Sequence, residues 1–279
     1  MSAPGVRTVL ATARYEALIA LRTKALWWSL LPLTALALLL AATSGRVVGA
    51  SDPVRRVAET SLVFSLLCTL GIAVGLAGRL AGHRRSGLTD LLDATAAGIP
   101  ARVAGSLLGS LLVALVPPVC GFLLLVVVTS ISTGAPAAVG AGLLAIVVVL
   151  LPASLMLSSF AAMLGVLLPV AAARVLTAVF WLWATVLNPM LLPVPTATGT
   201  VLSPLARYPA AAWLHASPAS ATYGLSGALR PEVHSATATA QVLCTLAASA
   251  VFLAVAAIRL NARTRVPNRR ARWMSRSAQ

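Results

Sequence analysis

A chain of 279 residues in which 59% of positions are hydrophobic and 10% are charged has too little polar surface to stay soluble by itself. Its mean hydropathy of +0.94 assigns it to a bilayer. The net charge of +15 invites nucleic acid as a partner, but the basic residues sit between and beyond long apolar runs, which argues for a membrane protein and against nucleic acid. No polar block is long enough for a separate domain of usual size, so residues 1–279 read as one membrane domain with short tails.

Met1 to Lys24 is too polar to span. Val6, Val9, Leu10, Ala13, Ala17 and Leu21 recur at helical spacing while Arg7, Arg14 and Arg22 gather on another side, the pattern of an amphipathic helix lying in the interface plane. A cleaved signal peptide fits less well, because the apolar run begins only after Arg22 and Lys24. Span one is residues 25–42, with Trp27 and Trp28 marking its interfacial end. A turn-rich loop over residues 43–59 leads to span two, residues 60–80. There Gly71, Gly75, Gly78 and Gly82 fall on one helix face and offer a neighbouring backbone a close approach. Span three, residues 103–128, adds Gly105 and Gly109 and contains Pro117-Pro118, which predicts a kink. Span four is 139–168 and carries Pro152; span five is 171–187; span six is 235–260. Between spans five and six, Pro193, Pro195, Gly199, Pro204, Pro209 and Pro218 interrupt an apolar segment, predicting short re-entrant or extracellular helices. Residues 261–279 form a basic tail whose arginines match anionic lipid or a protein partner, lipid being the simpler reading.

With six spans, sixteen Lys and Arg residues fall on one side and five on the other. The positive-inside rule then makes both termini and the loop between spans two and three cytoplasmic. Arginine far outnumbers lysine in this alanine-rich chain, which points to a bacterial source and hence to the bacterial plasma membrane. Cys68, Cys120 and Cys244 lie in apolar runs and behave as small hydrophobes, so no disulfide is expected. The single lysine, Lys24, has no glycine-rich loop before it, so no phosphate cradle can be built. His83, His215 and His234 lack metal-ligand spacing, and no G-x-S-x-G elbow is present. No enzyme activity, metal or cofactor of its own is expected. Glu59 and Arg174 fall at span ends, leaving the span interiors almost without the carboxylates that a proton relay needs.

The segment between spans two and three is dense in Arg, Asp, Gly and Pro. After Arg84, Arg85 and the Ser86-Gly87 break, Leu88 to Ala97 reads as a short helix with Leu88, Leu91 and Leu92 on one side and Asp90 and Asp93 on the other. Gly98 and Pro100 close it, and Arg102 follows. The run Gly87-Leu88-Thr89-Asp90-Leu91-Leu92-Asp93-Ala94-Thr95, with Gly105 ten residues on, resembles the corresponding loop of ABC-2 type transporter permeases. In that family the loop reads like G-T-L-E-L-L-L-A-T-P. Gly87 matches the family glycine, Asp90 the acidic residue, Leu91 and Leu92 the paired leucines, Thr95 the threonine and Gly105 the later glycine. Ala96 stands where proline is common, Ser106 where lysine is frequent, and the stretch from His83 to Arg85 replaces an upstream acid.

The resemblance implies an all-α membrane subunit of an ABC exporter, with an N-terminal interfacial helix, six spans, and a cytoplasmic coupling helix between spans two and three. It implies a second permease copy or paralogue, and a separate ATPase subunit that binds ATP and meets the loop through Arg84, Arg85, Gly87, Asp90, Leu91, Leu92, Asp93, Thr95, Pro100 and Arg102. An ion-coupled carrier and a non-transporting scaffold or regulator are the alternatives. The Leu-, Val- and Ala-rich spans match an amphipathic or hydrophobic substrate.

Overall fold

The computed structural model describes residues 4–79, 98–187, 196–217 and 229–264. Among these the chain is helical, with no strand. The helices are α1 (Pro4–Arg22), α2 (Lys24–Thr43), α3 (Gly45–Val48), α4 (Pro53–Leu76), α5 (Ile99–Thr133), α6 (Ala137–Ala145) and α7 (Leu151–Leu167). They continue with α8 (Val170–Trp181), α9 (Arg207–Leu214) and α10 (Ser235–Thr264). Five helical runs are long and apolar enough to cross a membrane: Leu26–Thr43, Pro53–Leu76, Ile99–Thr133, Ala137–Leu167 and Ser235–Ala262. The predicted fifth span is the shorter apolar run Val170–Val186, about 25 Å long at ~1.5 Å per residue.

The largest difference from the sequence reading lies before span two. Residues 43–59 are not an extended loop. Asp52 caps α4, its carboxylate accepting from the backbone N–H groups of Val54 at 3.3 Å and Arg55 at 3.2 Å, and Pro53 supplies the first helical residue. The helix therefore starts seven residues before the predicted boundary, and α3 occupies part of what remains. At the other end of the chain's second span, α4 stops at Leu76, with Arg79 three residues beyond.

The central helix is α4, 72% of whose span is buried inside the protein, against 28% for α2 and for α10. Phe64 of α4 meets Phe122 of α5 edge to face at 5.7 Å, both fully buried. Around them Val57, Leu62, Val126, Val149 and Leu150 form the main core. A second core of Ala20, Leu26, Leu30, Ile72, Leu76 and Leu111 lies at the opposite end, called here the near end. The far end holds the 196–217 segment.

Helix α5 runs through Pro117 and Pro118 as one α-helix. The run from α6 to α7 behaves differently. Pro152 has no N–H to return to the preceding turn, and the helix widens into a π turn over Ile146–Leu150, where the Leu151 N–H donates to the Ile146 carbonyl five residues back. A second π turn, Leu182–Val186, ends α8, with Leu187 N–H donating to Leu182 O at 3.0 Å.

The glycines of span two do not share one backbone partner as the spacing predicts. A Cβ on Gly71 would meet Leu33 of α2, one on Gly75 would meet Leu26 of α2, and one on Gly78 would meet Val170 of α8, all side chains. Backbone approaches occur elsewhere. A Cβ on Gly105 would lie 2.7 Å from the Val9 carbonyl oxygen, one on Gly109 would collide with the Ala13 backbone, and one on Gly165 with the Ala77 carbonyl. Gly82 lies outside the described residues.

Gly109→Ala and Gly165→Ala are expected to destabilise the protein in detergent by about 1–3 kcal/mol each through overpacking. Gly140→Ala, at a site where an added Cβ meets nothing within 4 Å, is expected to leave the thermal midpoint unchanged or slightly raised. Differential scanning fluorimetry of the three variants reads the difference.

Candidate functional site

Polar side chains converge at two places, one at each end of the bundle. At the near end, α1 lies along the start of α5, seated on Gly105 and Gly109. The face it uses differs from the one that periodicity picks out. Val6, Leu10 and Leu21 point outward beside the exposed Arg7, Arg14 and Arg22, whereas Ala20 and Glu16 are buried, with Ala13 and Ala17 half-buried next to them. Small residues win this face because the α5 glycines admit backbone, and a leucine would hold the helices apart.

Glu16 is 2% exposed at this seam. Burial pushes its carboxyl up to about 7, the Arg79 charge and the adjacent Ser106 hydroxyl pulling the other way. Arg79 in turn donates from Nη2 to the Thr23 hydroxyl at 3.1 Å. Thr23 is the single non-helical residue between α1 and α2, with φ −83° and ψ 97°, and its own hydroxyl donates to Ile19 O at 2.8 Å. Trp27 Nε1 donates across the same bend to Leu21 O at 2.9 Å. Arg79 thus ties the chain just past α4 to the α1–α2 bend, while its charge acts on Glu16 of α1.

Of the residues singled out for a partner ATPase, Pro100 and Arg102 lie in the first turn of α5, where Gly98 is the N-cap and accepts from Arg102 N–H at 3.2 Å. Gly98 and Pro100 therefore open α5. Arg84, Arg85, Gly87, Asp90, Leu91, Leu92, Asp93 and Thr95 lie outside the described residues, as do residues 265–279 of the tail.

At the far end the 196–217 segment folds as a plug. Gln241 of α10, 1% exposed, accepts from Tyr208 N–H at 3.0 Å and donates to the Ser203 carbonyl at 2.9 Å and the Thr200 carbonyl at 3.5 Å. Ser203 donates to Ala184 O at 2.8 Å and Thr198 to Trp183 O at 3.2 Å, both carbonyls belonging to the π turn that ends α8. Arg230 Nη2 reaches the Thr196 and Thr198 carbonyls at 3.4 and 3.2 Å. On the α4 side, Glu59 is 5% exposed and its Oε1 accepts from Ser217 N–H at 2.8 Å, while Arg55 Nη2 donates to the Ser217 hydroxyl at 3.0 Å. Glu59 lies within α4, not at a span end as expected, because the Asp52 cap moves the helix start outward.

Neither Gln241 nor Glu16 is singled out by motif. Each is the one strongly polar residue on an otherwise small or apolar helix face, and that isolation is the signal the sequence holds. Among the described residues no group of three or more His, Cys, Asp or Glu is placed to hold a metal ion. The chain matches no protein-family model and no curated protein sequence.

Gln241→Leu strands the Tyr208 N–H and two carbonyls. The expected cost is about 1–3 kcal/mol, together with faster amide exchange across Arg207–Leu214 in hydrogen–deuterium exchange, while α5 amides stay protected.

Proposed function

We propose that the chain is the membrane-spanning subunit of an ATP-driven ABC exporter of the ABC-2 type, working with a separate ATPase subunit. The observation that carries this reading is the Gly87–Thr95 sequence between two apolar helices, in a chain that has no phosphate cradle of its own. The order of elements supports it: a basic amphipathic helix, apolar helices on both sides of the central segment, and a folded segment of turns and one short helix before the last long helix. In this reading the Val170–Val186 helix is the sixth crossing, both termini are cytoplasmic by the distribution of Lys and Arg, the membrane is a bacterial plasma membrane, and two permease copies or paralogues line the pathway. The partner's stroke enters through residues 84–102, and the 196–217 plug closes the outer side. The Leu-, Val- and Ala-rich spans suit an amphipathic or hydrophobic substrate.

An ion-coupled carrier is the second reading, and one observation favours it: Glu59 is a buried carboxylate inside α4. Its hydrogen bond to Ser217 N–H gives it an anchoring role in the plug.

The double change Asp90→Ala with Leu91→Ser tests the exporter. Expected is loss of a co-purifying ATPase and of ATP-dependent transport, with insertion intact. Unchanged ATPase association and transport overturn the coupling assignment, and transport that survives ATP depletion but collapses with the ion gradient selects the carrier.

A further inference from the structure

The exporter reading makes no use of the most buried carboxylate at the near end. Glu16 sits on a helix that rests almost wholly on α5, is joined to α2 through one extended residue, and turns a face of Arg7, Leu10, Arg14, Leu18 and Arg22 outward. Such a helix can swing as a unit about Thr23. What holds it is the glycine seam at Gly105 and Gly109 and the burial of Ala20 and Glu16 along it.

We propose that α1 is a proton-sensitive strap: Glu16, buried at the seam where α1 rests on Gly105 and Gly109 of α5, fixes α1 to the near end of the bundle when it carries a proton, and loosens it when it loses one. Arg79 is the charged group acting on Glu16 from the α4 side, and Ser106 faces it from α5. The other charged groups on the packed elements are Arg102 of α5, Lys24 of α2, and Arg7, Arg14 and Arg22 of α1 itself, of which Lys24 and the three α1 arginines are exposed, while Arg55, Arg56 and Glu59 of α4 lie at its far end.

The sign follows from linkage. In the seated helix the carboxyl titrates at about 7 against an ordinary 4.5, so the seated state binds the extra proton; its advantage is full below the ordinary value and is lost as pH rises through the seated one. Between pH 5 and pH 8 the ratio of seated to released α1 is expected to fall about 70-fold.

The inference stands apart from the exporter reading, since its test needs neither ATPase nor substrate. Spin labels are placed on the exposed positions Leu10 and Leu112, 64% and 61% exposed, in the full-length chain with Cys68, Cys120 and Cys244 changed to Ala. The labelled protein is diluted with unlabelled protein in nanodiscs, and pulsed electron–electron resonance reads the distance distribution from pH 5 to pH 8. Expected is one narrow distance at pH 5 and a second population growing toward pH 8. Glu16→Gln should hold the narrow distance at both values, and Arg79→Gln, by removing the cation that favours the charged form, should move the midpoint to higher pH. A distribution identical at pH 5 and pH 8 in the otherwise native chain overturns the proposal, and so does an unaltered pH response in Glu16→Gln.

Discussion

A backbone inside a bilayer must satisfy every N–H and C=O from within the protein, and this requirement organises the structure. The helices meet it internally. The 196–217 segment does so only in part, and Gln241, Arg230, Glu59 and its own Thr200 and Ser203 hydroxyls supply further partners to its backbone. The π turn at Leu182–Val186 belongs to the same arrangement. Widening the helix releases carbonyls, and the plug's hydroxyls take them up. Three elements distant in sequence, α4, α8 and α10, are joined at one end by a segment that is not itself a regular helix.

The second constraint is how closely helices can approach without a hydrophobic drive between them. Gly105, Gly109 and Gly165 are the places where backbone meets side-chain-free backbone, and they set α1 on α5 and α7 on α4. Large apolar residues such as Leu112, Val116 and Leu124 are correspondingly turned outward along α5. That is the normal disposition in lipid, where exposing leucine costs nothing.

The two ends use polar groups differently. At the far end Glu59 accepts a backbone N–H and extends a hydrogen-bond network that includes Arg55 and Arg230. At the near end Glu16 is set against a guanidinium in a place where burial resists its charge, so its protonation state is the variable. One carboxylate anchors, and the other is positioned to respond. The difference comes from surroundings, because both are single glutamates in apolar sequence.

The sequence by itself determined the class and the order of elements. Composition, hydropathy, the interfacial tryptophans and the distribution of arginines suffice for an all-helical membrane chain with a separate N-terminal helix, because the free energy of moving apolar side chains into lipid is a local, additive property. Pro and Gly density likewise marked 190–234 as broken. What the tertiary structure decided is which partner each face meets. Gly71, Gly75 and Gly78 look like one packing stripe, yet they face side chains on two different helices; the periodic set of α1 is split, Val9, Ala13 and Ala17 lying half-buried beside Ala20 and Glu16 while Val6, Leu10 and Leu21 face outward. Gln241 becomes a structural clamp only once the 196–217 segment lies against it. Pairwise contact depends on how helices are placed in three dimensions, and where the long helices are apolar on nearly every side, periodicity carries little record of that placement.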